Sequence, residues 1–222
     1  MLYENLRHEQ DRTLSSPRLR YGLLARALFI SLNLIYGRPR TLSKFKVLEV
    51  IARVPYQAWE QVAYVAMTHK YGEPNFARRI FDFVYEARQQ QDNEQWHLLI
   101  LEEMVETKNI KETFFRHRLL PQVIALFYYH LSWLLYVVRP SLSYELNAHF
   151  EDHAEHEYME FVRENPVLEN TMFRSVFEGD YGAFNSQAEL FRQIALDERH
   201  HKEESLARMA QPRFAAPHTA AS

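Results

Sequence analysis

Two glutamates stand three residues before a histidine, Glu94 with His97 and Glu198 with His201, and each pair is preceded by a lone glutamate set in an apolar stretch. Glu49 lies 45 residues before Glu94, and Glu151 lies 47 before Glu198. Residues three apart share a helix face, so a glutamate and a histidine at that spacing can grip one ion or bridge two. The chain therefore reads as two halves of one plan. In each half one helix gives a carboxylate, and a second gives a carboxylate and an imidazole. That is a ligand set for two metal ions.

The tetrads alone prove little, because 23 glutamates and 11 histidines among 222 residues produce about one such pair by chance. Their surroundings decide. Glu49 sits in Val47-Leu48-Glu49-Val50-Ile51-Ala52, where a buried lone carboxylate is costly without a cation. Glu151 follows Phe150, and its helical face carries Asn147, Ala154 and Tyr158. Four glutamates meeting in a bundle core repel one another and take up protons unless cations neutralise them, and two divalent ions match their charge. A glutamate from each of two helices and Glu-x-x-His from each of two others is the ligand pattern of di-iron and di-manganese carboxylate bundles. Four carboxylates with two imidazoles suit iron or manganese better than zinc.

The elements that must position these groups are helical. With 5 glycines, 47% apolar residues and few alternating runs, the expected fold class is all-α, a ferritin-like four-helix bundle. Six helices are expected, over about residues 20–36, 42–70, 75–107, 111–138, 143–163 and 186–209. The domain reading is a polar N-terminal arm (1–19), one helical-bundle domain (20–209) and a disordered tail (210–222). A net charge of −3 with dispersed basic residues argues against nucleic acid as a partner. The absence of cysteine excludes disulfides, thiolate sites and thiol switches. The start is acidic and polar, so no signal peptide is expected.

Residues 119–138 are mostly apolar and aromatic, long enough to span a hydrocarbon core of ~30 Å, yet Pro121, Gln122, His130 and Ser132 interrupt them. Arginines stand at both ends of this helix, and at both ends and the middle of the 20–36 helix. Both read better as helices lying in one leaflet than as spans. Their mutual packing, or a dimer interface, is the alternative. A mean hydropathy of −0.41 excludes a polytopic protein.

Four local sequences, in order, resemble the motifs of the alternative oxidases. They are Leu48-Glu49-Val50-Ile51-Ala52-Arg53-Val54-Pro55-Tyr56, Asn93-Glu94-Gln95-Trp96-His97-Leu98-Leu99, Phe150-Glu151-Asp152-His153-Ala154 through Tyr158, and Asp197-Glu198-Arg199-His200-His201. The likeness runs from about Lys44 to Met209, and Leu101-Glu102-Glu103-Met104 and Phe127-Tyr128-Tyr129 extend it. Tyr56 after Pro55 and His153 before Ala154 are similar to the plastid terminal oxidase branch, whereas the mitochondrial branch usually has glycine and glutamate there. Two features depart from the family: the loop before the last helix is short, and Lys44 stands where arginine is common.

The resemblance implies a membrane-bound quinol oxidase that does not pump protons and reduces dioxygen to water at a di-iron centre. Glu49, Glu94, His97, Glu151, Glu198 and His201 would hold two iron ions. Tyr158 matches the family's redox-active tyrosine, and Asn93 and Asp197 match positions whose hydrogen bonds orient ligands. Lys44, Leu48, Phe150 and Ala154 are the expected quinol contacts. Quinol (plastoquinol or ubiquinol), dioxygen and membrane lipid are the expected partners, in a homodimer attached monotopically to the cytoplasmic face of a bacterial inner membrane or to a thylakoid membrane. Two alternatives stay open: another di-iron oxygenase acting on a quinone or lipid, such as a hydroxylase or desaturase, and a non-catalytic ferritin-like iron-binding protein.

Overall fold

Proline placement sets most of the helix boundaries in the computed structural model, which describes residues 2–211, 213 and 214. The helices are α1 (Leu2–Ser15), α2 (Leu23–Tyr36), α3 (Leu42–Ala52), α4 (Val54–Lys70), α5 (Pro74–Thr107), α6 (Leu120–Val138), α7 (Pro140–Glu164) and α8 (Gln187–Met209), and no strand occurs among the described residues. The all-α expectation holds. The single helix expected over 42–70 is two, because Pro55 lacks an N–H for the carbonyl of Ile51, which instead accepts from Arg53 N–H. Likewise Pro121 lies at the start of α6, behind a π-helical turn over Phe115–Leu119. Prolines are tolerated in a first turn, so α5 and α7 begin at Pro74 and Pro140, and α7 starts three residues before the sequence reading placed it.

Polar caps fix the ends of two ligand-bearing helices. The Thr41 hydroxyl accepts from Lys44 N–H at the start of α3. Ser186 accepts from Glu189 N–H at the start of α8, and the Glu189 carboxylate returns to Asn185 N–H at 2.7 Å. At the end of α2, Gly37 takes φ +87°, a conformation L side chains rarely adopt.

Helices α3, α5, α7 and α8 form the bundle, with α7 against α8 and α3 against α5, while α4 packs on α5 and α6. One apolar core joins α2, α3, α5, α6, α7 and α8. A second, around Tyr56, Trp59, Phe83, Tyr136 and Tyr144, lies between α4, α5, α6 and α7. The polar arm is itself largely helix. Its α1 lies on α7 and α8, where Thr13 donates to Glu155 at 2.7 Å and Gln10 donates to the Met159 carbonyl at 2.9 Å. The tail expected to be disordered is described at Arg213 and Phe214, and there it is packed. Phe214 is buried against Phe76 and Phe83, and Arg213 donates to the Tyr136 carbonyl. Residues 212 and 215–222 of that tail lie outside the described residues.

Apolar side chains without cover concentrate on α2 (Leu23, Ile30, Leu34) and α6 (Leu126, Phe127, Val138). Phe115–Val138 is long and apolar enough to cross a membrane and is mostly unburied. Between α2 and α6 lies an apolar cavity of about 450 Å³, lined by Leu28, Leu32, Ile124, Phe127 and Tyr128 and reaching Leu146 of α7. The Tyr128 hydroxyl is buried and has no hydrogen-bond partner among the described residues.

Candidate metal centre

Four helices deliver the six ligand candidates to one point. Glu49 comes from α3, Glu94 and His97 from successive turns of α5, Glu151 from α7, and Glu198 and His201 from α8. None is more than 3% exposed. They form two overlapping groups whose ligand atoms lie within 4.8 Å of one another: Glu49, Glu94, His97, Glu198 and Glu94, Glu151, Glu198, His201. Glu94 and Glu198 belong to both. Each turns one oxygen to each imidazole: His97 Nδ1 lies 3.7 Å from Glu94 Oε2 and 3.2 Å from Glu198 Oε1, and His201 Nδ1 lies 2.8 Å from Glu94 Oε1 and 3.6 Å from Glu198 Oε2. Glu49 Oε2 stands 3.5 Å from His97 Nδ1.

Both oxygens of Glu94 and of Glu198, one oxygen each of Glu49 and Glu151, and Nδ1 of both histidines are buried without a hydrogen-bond partner. Buried polar atoms are normally satisfied, and these eight face one another. The donor set fits two divalent cations, which these residues would hold, with Glu94 and Glu198 common to both groups. The electrostatics agree. Burial, then Glu198, pushes the Glu49 carboxyl well above its ordinary range; burial, then Glu94, does the same to Glu151. Burial alone would lower the two imidazoles, but surrounding acidic and phenolic groups raise His97 well above its usual value and His201 to about 10. Burial also opposes ionisation of Glu94, yet its contacts with His201 and His97 outweigh that and hold it low. A pocket that draws protons onto its imidazoles draws cations for the same reason.

Hydrogen bonds behind the ligands fix their orientation. His97 Nε2 lies 3.2 Å from Asp197 Oδ2, which leaves Nδ1 to face the glutamates. Asp197 also accepts from Asn93 (3.3 Å), Tyr181 (2.6 Å) and Gln193 (2.9 Å). Thus Asn93 and Asp197, each beside a ligand in sequence, meet across α5 and α8 behind His97. The Tyr158 hydroxyl donates to Glu49 Oε1, while its ring stacks on Phe45 at 4.2 Å. On the opposite terminal ligand, the Tyr56 hydroxyl donates to Glu151 Oε1 at 2.9 Å.

Tyr56 and Tyr181 were not singled out as functional from the sequence. Tyr181 lies in an irregular loop with no periodicity to place it. Tyr56 carried a readable signal: it follows Glu49 by seven residues, as Tyr158 follows Glu151. Of the expected quinol contacts, Leu48, Phe150 and Ala154 are buried, and the Lys44 ammonium is bound to Asn33 Oδ1 (2.7 Å) and the Gly37 carbonyl (3.0 Å). None of the four lines the α2–α6 cavity; Phe150 lies behind Tyr128, which does. A third buried acidic group, Asp152, Glu155 and His156, is already served by cations, with Lys202 Nζ at 3.2 Å from Asp152 and 2.5 Å from Glu155, and Arg199 Nε at 2.9 Å from Glu155.

Comparison with known proteins agrees with this geometry. Residues 7–177 match the family described as alternative oxidase. Ubiquinol oxidase 4, chloroplastic/chromoplastic, of Arabidopsis thaliana is 35% identical over 126 residues, 57% of this chain and 33% of that protein, so the matched stretch spans a third of the relative's length. The family match ends before Glu198 and His201, which join the site through the fold of α8.

Proposed function

The chain belongs to the alternative oxidase family, and on that premise we propose that it is a membrane-bound quinol oxidase that does not pump protons. Two quinols are oxidised to two quinones while one dioxygen is reduced to two waters. The observation that carries this reading is the pair of carboxylate–imidazole groups joined through Glu94 and Glu198, next to an apolar cavity under an uncovered apolar face. Two irons bound there would supply the redox chemistry, accepting electrons from quinol and passing them to dioxygen.

The chain's own residues provide the rest. Glu94 and Glu198, common to both groups, would serve both ions, with Glu49 and His97 completing one group and Glu151 and His201 the other. Tyr158 is the one-electron donor: its phenol rests on Glu49 Oε1, so its proton has a carboxylate to enter when the ring gives up an electron. Asp197 fixes the tautomer of His97 by accepting a hydrogen bond from its Nε2–H.

Quinol is apolar and reaches the site from the lipid side. The cavity between α2 and α6 is lined by apolar side chains, and the unpartnered Tyr128 hydroxyl offers a ring oxygen a polar contact. Phe150, beside Glu151 in sequence, is buried behind Tyr128 of that cavity. The bare faces of α2 and α6 lie in one leaflet, with arginines at positions 20, 26, 116, 118 and 139 at the headgroup level. We place the protein on the cytoplasmic face of a bacterial inner membrane or on a thylakoid membrane, as a homodimer.

The test is oxygen uptake by membranes carrying the protein, with plastoquinol and ubiquinol supplied in turn. Uptake resistant to cyanide is expected, yielding quinone with no added oxygen atom. Glu151→Ala and His201→Ala should abolish it; uptake unchanged in either variant, or a hydroxylated product, rejects the oxidase reading.

A further inference from the structure

The two glutamates that are not shared each carry a phenol, and the phenols are exchanged between the halves of the chain. Tyr56, seven residues after Glu49, donates to Glu151; Tyr158, seven residues after Glu151, donates to Glu49. In both cases Oε1 is taken and Oε2 is left without a partner, whereas Glu94 and Glu198 keep both oxygens free. Each imidazole therefore faces one oxygen of Glu94 and one of Glu198, with a single free oxygen from its own terminal glutamate.

Tyr56 is locked in place. It is fully buried, its oxygen accepts from Asn147 Nδ2 at 3.1 Å, and the same amide nitrogen donates to Ser205 Oγ at 3.1 Å. An amide does not shuttle protons at neutral pH, so this chain of contacts is not a proton path. Its effect is to aim the phenol. A carboxylate with two free oxygens can chelate one ion, while one with an oxygen engaged by a phenol offers a single donor.

We propose that Tyr56 is a positioning residue that occupies Oε1 of Glu151, confines that glutamate to one donor oxygen, and so keeps a coordination place open at the metal position held by His201. Tyr158 stands in the same relation to Glu49. It lacks an amide partner on its oxygen, so the two phenols are alike in what they cap and different in what holds them. The proposal rests on the two-metal reading of the site.

The experiment loads the full-length protein with isotopically enriched iron and records Mössbauer spectra, with azide titrated as a probe of open coordination places. Wild-type protein should bind two irons per chain. Tyr56→Phe should still bind two, shift the doublet of one iron and leave the other, and bind azide about tenfold more weakly or worse, as expected when an outer hydrogen bond to a ligand is lost. Tyr158→Phe should shift the other doublet. Tyr56→Phe with two irons, both doublets unchanged and undiminished azide affinity overturns the proposal. If that variant does not fold, Asn147→Ala, which leaves the phenol present but unlocked, must shift the same doublet, and an unchanged spectrum is equally fatal. Fewer than two irons in the wild type removes the metal centre and the proposal together. Two irons without quinol oxidation removes the oxidase reading alone, and the doublet comparison still decides the role of Tyr56.

Discussion

Tyr158 and the two imidazoles set the expectations at the scale of single residues. Tyr158→Phe removes the phenol from Glu49 but keeps the stacking on Phe45, so iron content and KM for quinol should hold while kcat falls about 10–100-fold; steady-state oxygen uptake with parallel metal analysis checks this. The raised imidazoles make a second prediction. With His201 raised to about 10, its imidazole is protonated at neutral pH in metal-free protein, and His97 is raised in the same direction, so iron must compete with protons at the site. Iron binding should release protons, and apparent affinity should rise with pH from about 6 toward 10, measurable by titration in weakly buffered solution. The ligand residues were legible because their spacing is local, whereas Tyr56 and Asp197 became intelligible only once their partners, 95 and 100 residues away, were placed beside them.

The element least visible in the sequence is α1. Its residues are polar and few face the core, so the apolar periodicity that marks the other helices is faint. Its docking is polar instead. Glu155 on α7 accepts from Thr13 and Arg199, and Arg199 also pairs with Glu9. Burial raises the Glu155 carboxyl, but Lys202, Arg199 and Thr13 more than compensate and hold it below its ordinary 4.5. Because the folded value is depressed, this contribution is fully present above the unfolded value of 4.5 and is lost as pH falls through the folded value. Amide protection in α1, measured against the intrinsic exchange rate, should therefore fall selectively as the pH drops below 4.5. Glu155→Ala removes the carboxylate that Arg199 and Lys202 share, leaving them Glu9 and Asp152, and should cost about 2 kcal/mol in denaturant unfolding. The divided 42–70 helix teaches a related point: the expectation of one helix passes over Pro55, and only the path of the chain shows that α3 carries Glu49 to the site while α4 carries Tyr56 to the carboxylate of the other half.

At the scale of the whole molecule, the uncovered apolar faces of α2 and α6 and the cavity between them lie on one flank of the bundle. Replacing Leu23 and Leu34, both largely exposed, by glutamate should remove about 2 kcal/mol of membrane affinity per leucine. Flotation with lipid vesicles should then find the variant in the unbound fraction, with its iron content and thermal unfolding unchanged.

The sequence by itself determined the all-α class, the six ligand candidates, the family and the two apolar helices, because each is written in spacings of a few residues that a helix turns into a face. Tertiary structure alone decided which glutamates are shared, which tyrosine rests on which carboxylate, that Asp197 of α8 serves His97 of α5, and that the polar arm is a docked helix. The physical reason is that these contacts join residues 95 to 142 apart, and their geometry depends on how whole helices pack and in what register, which local periodicity does not specify.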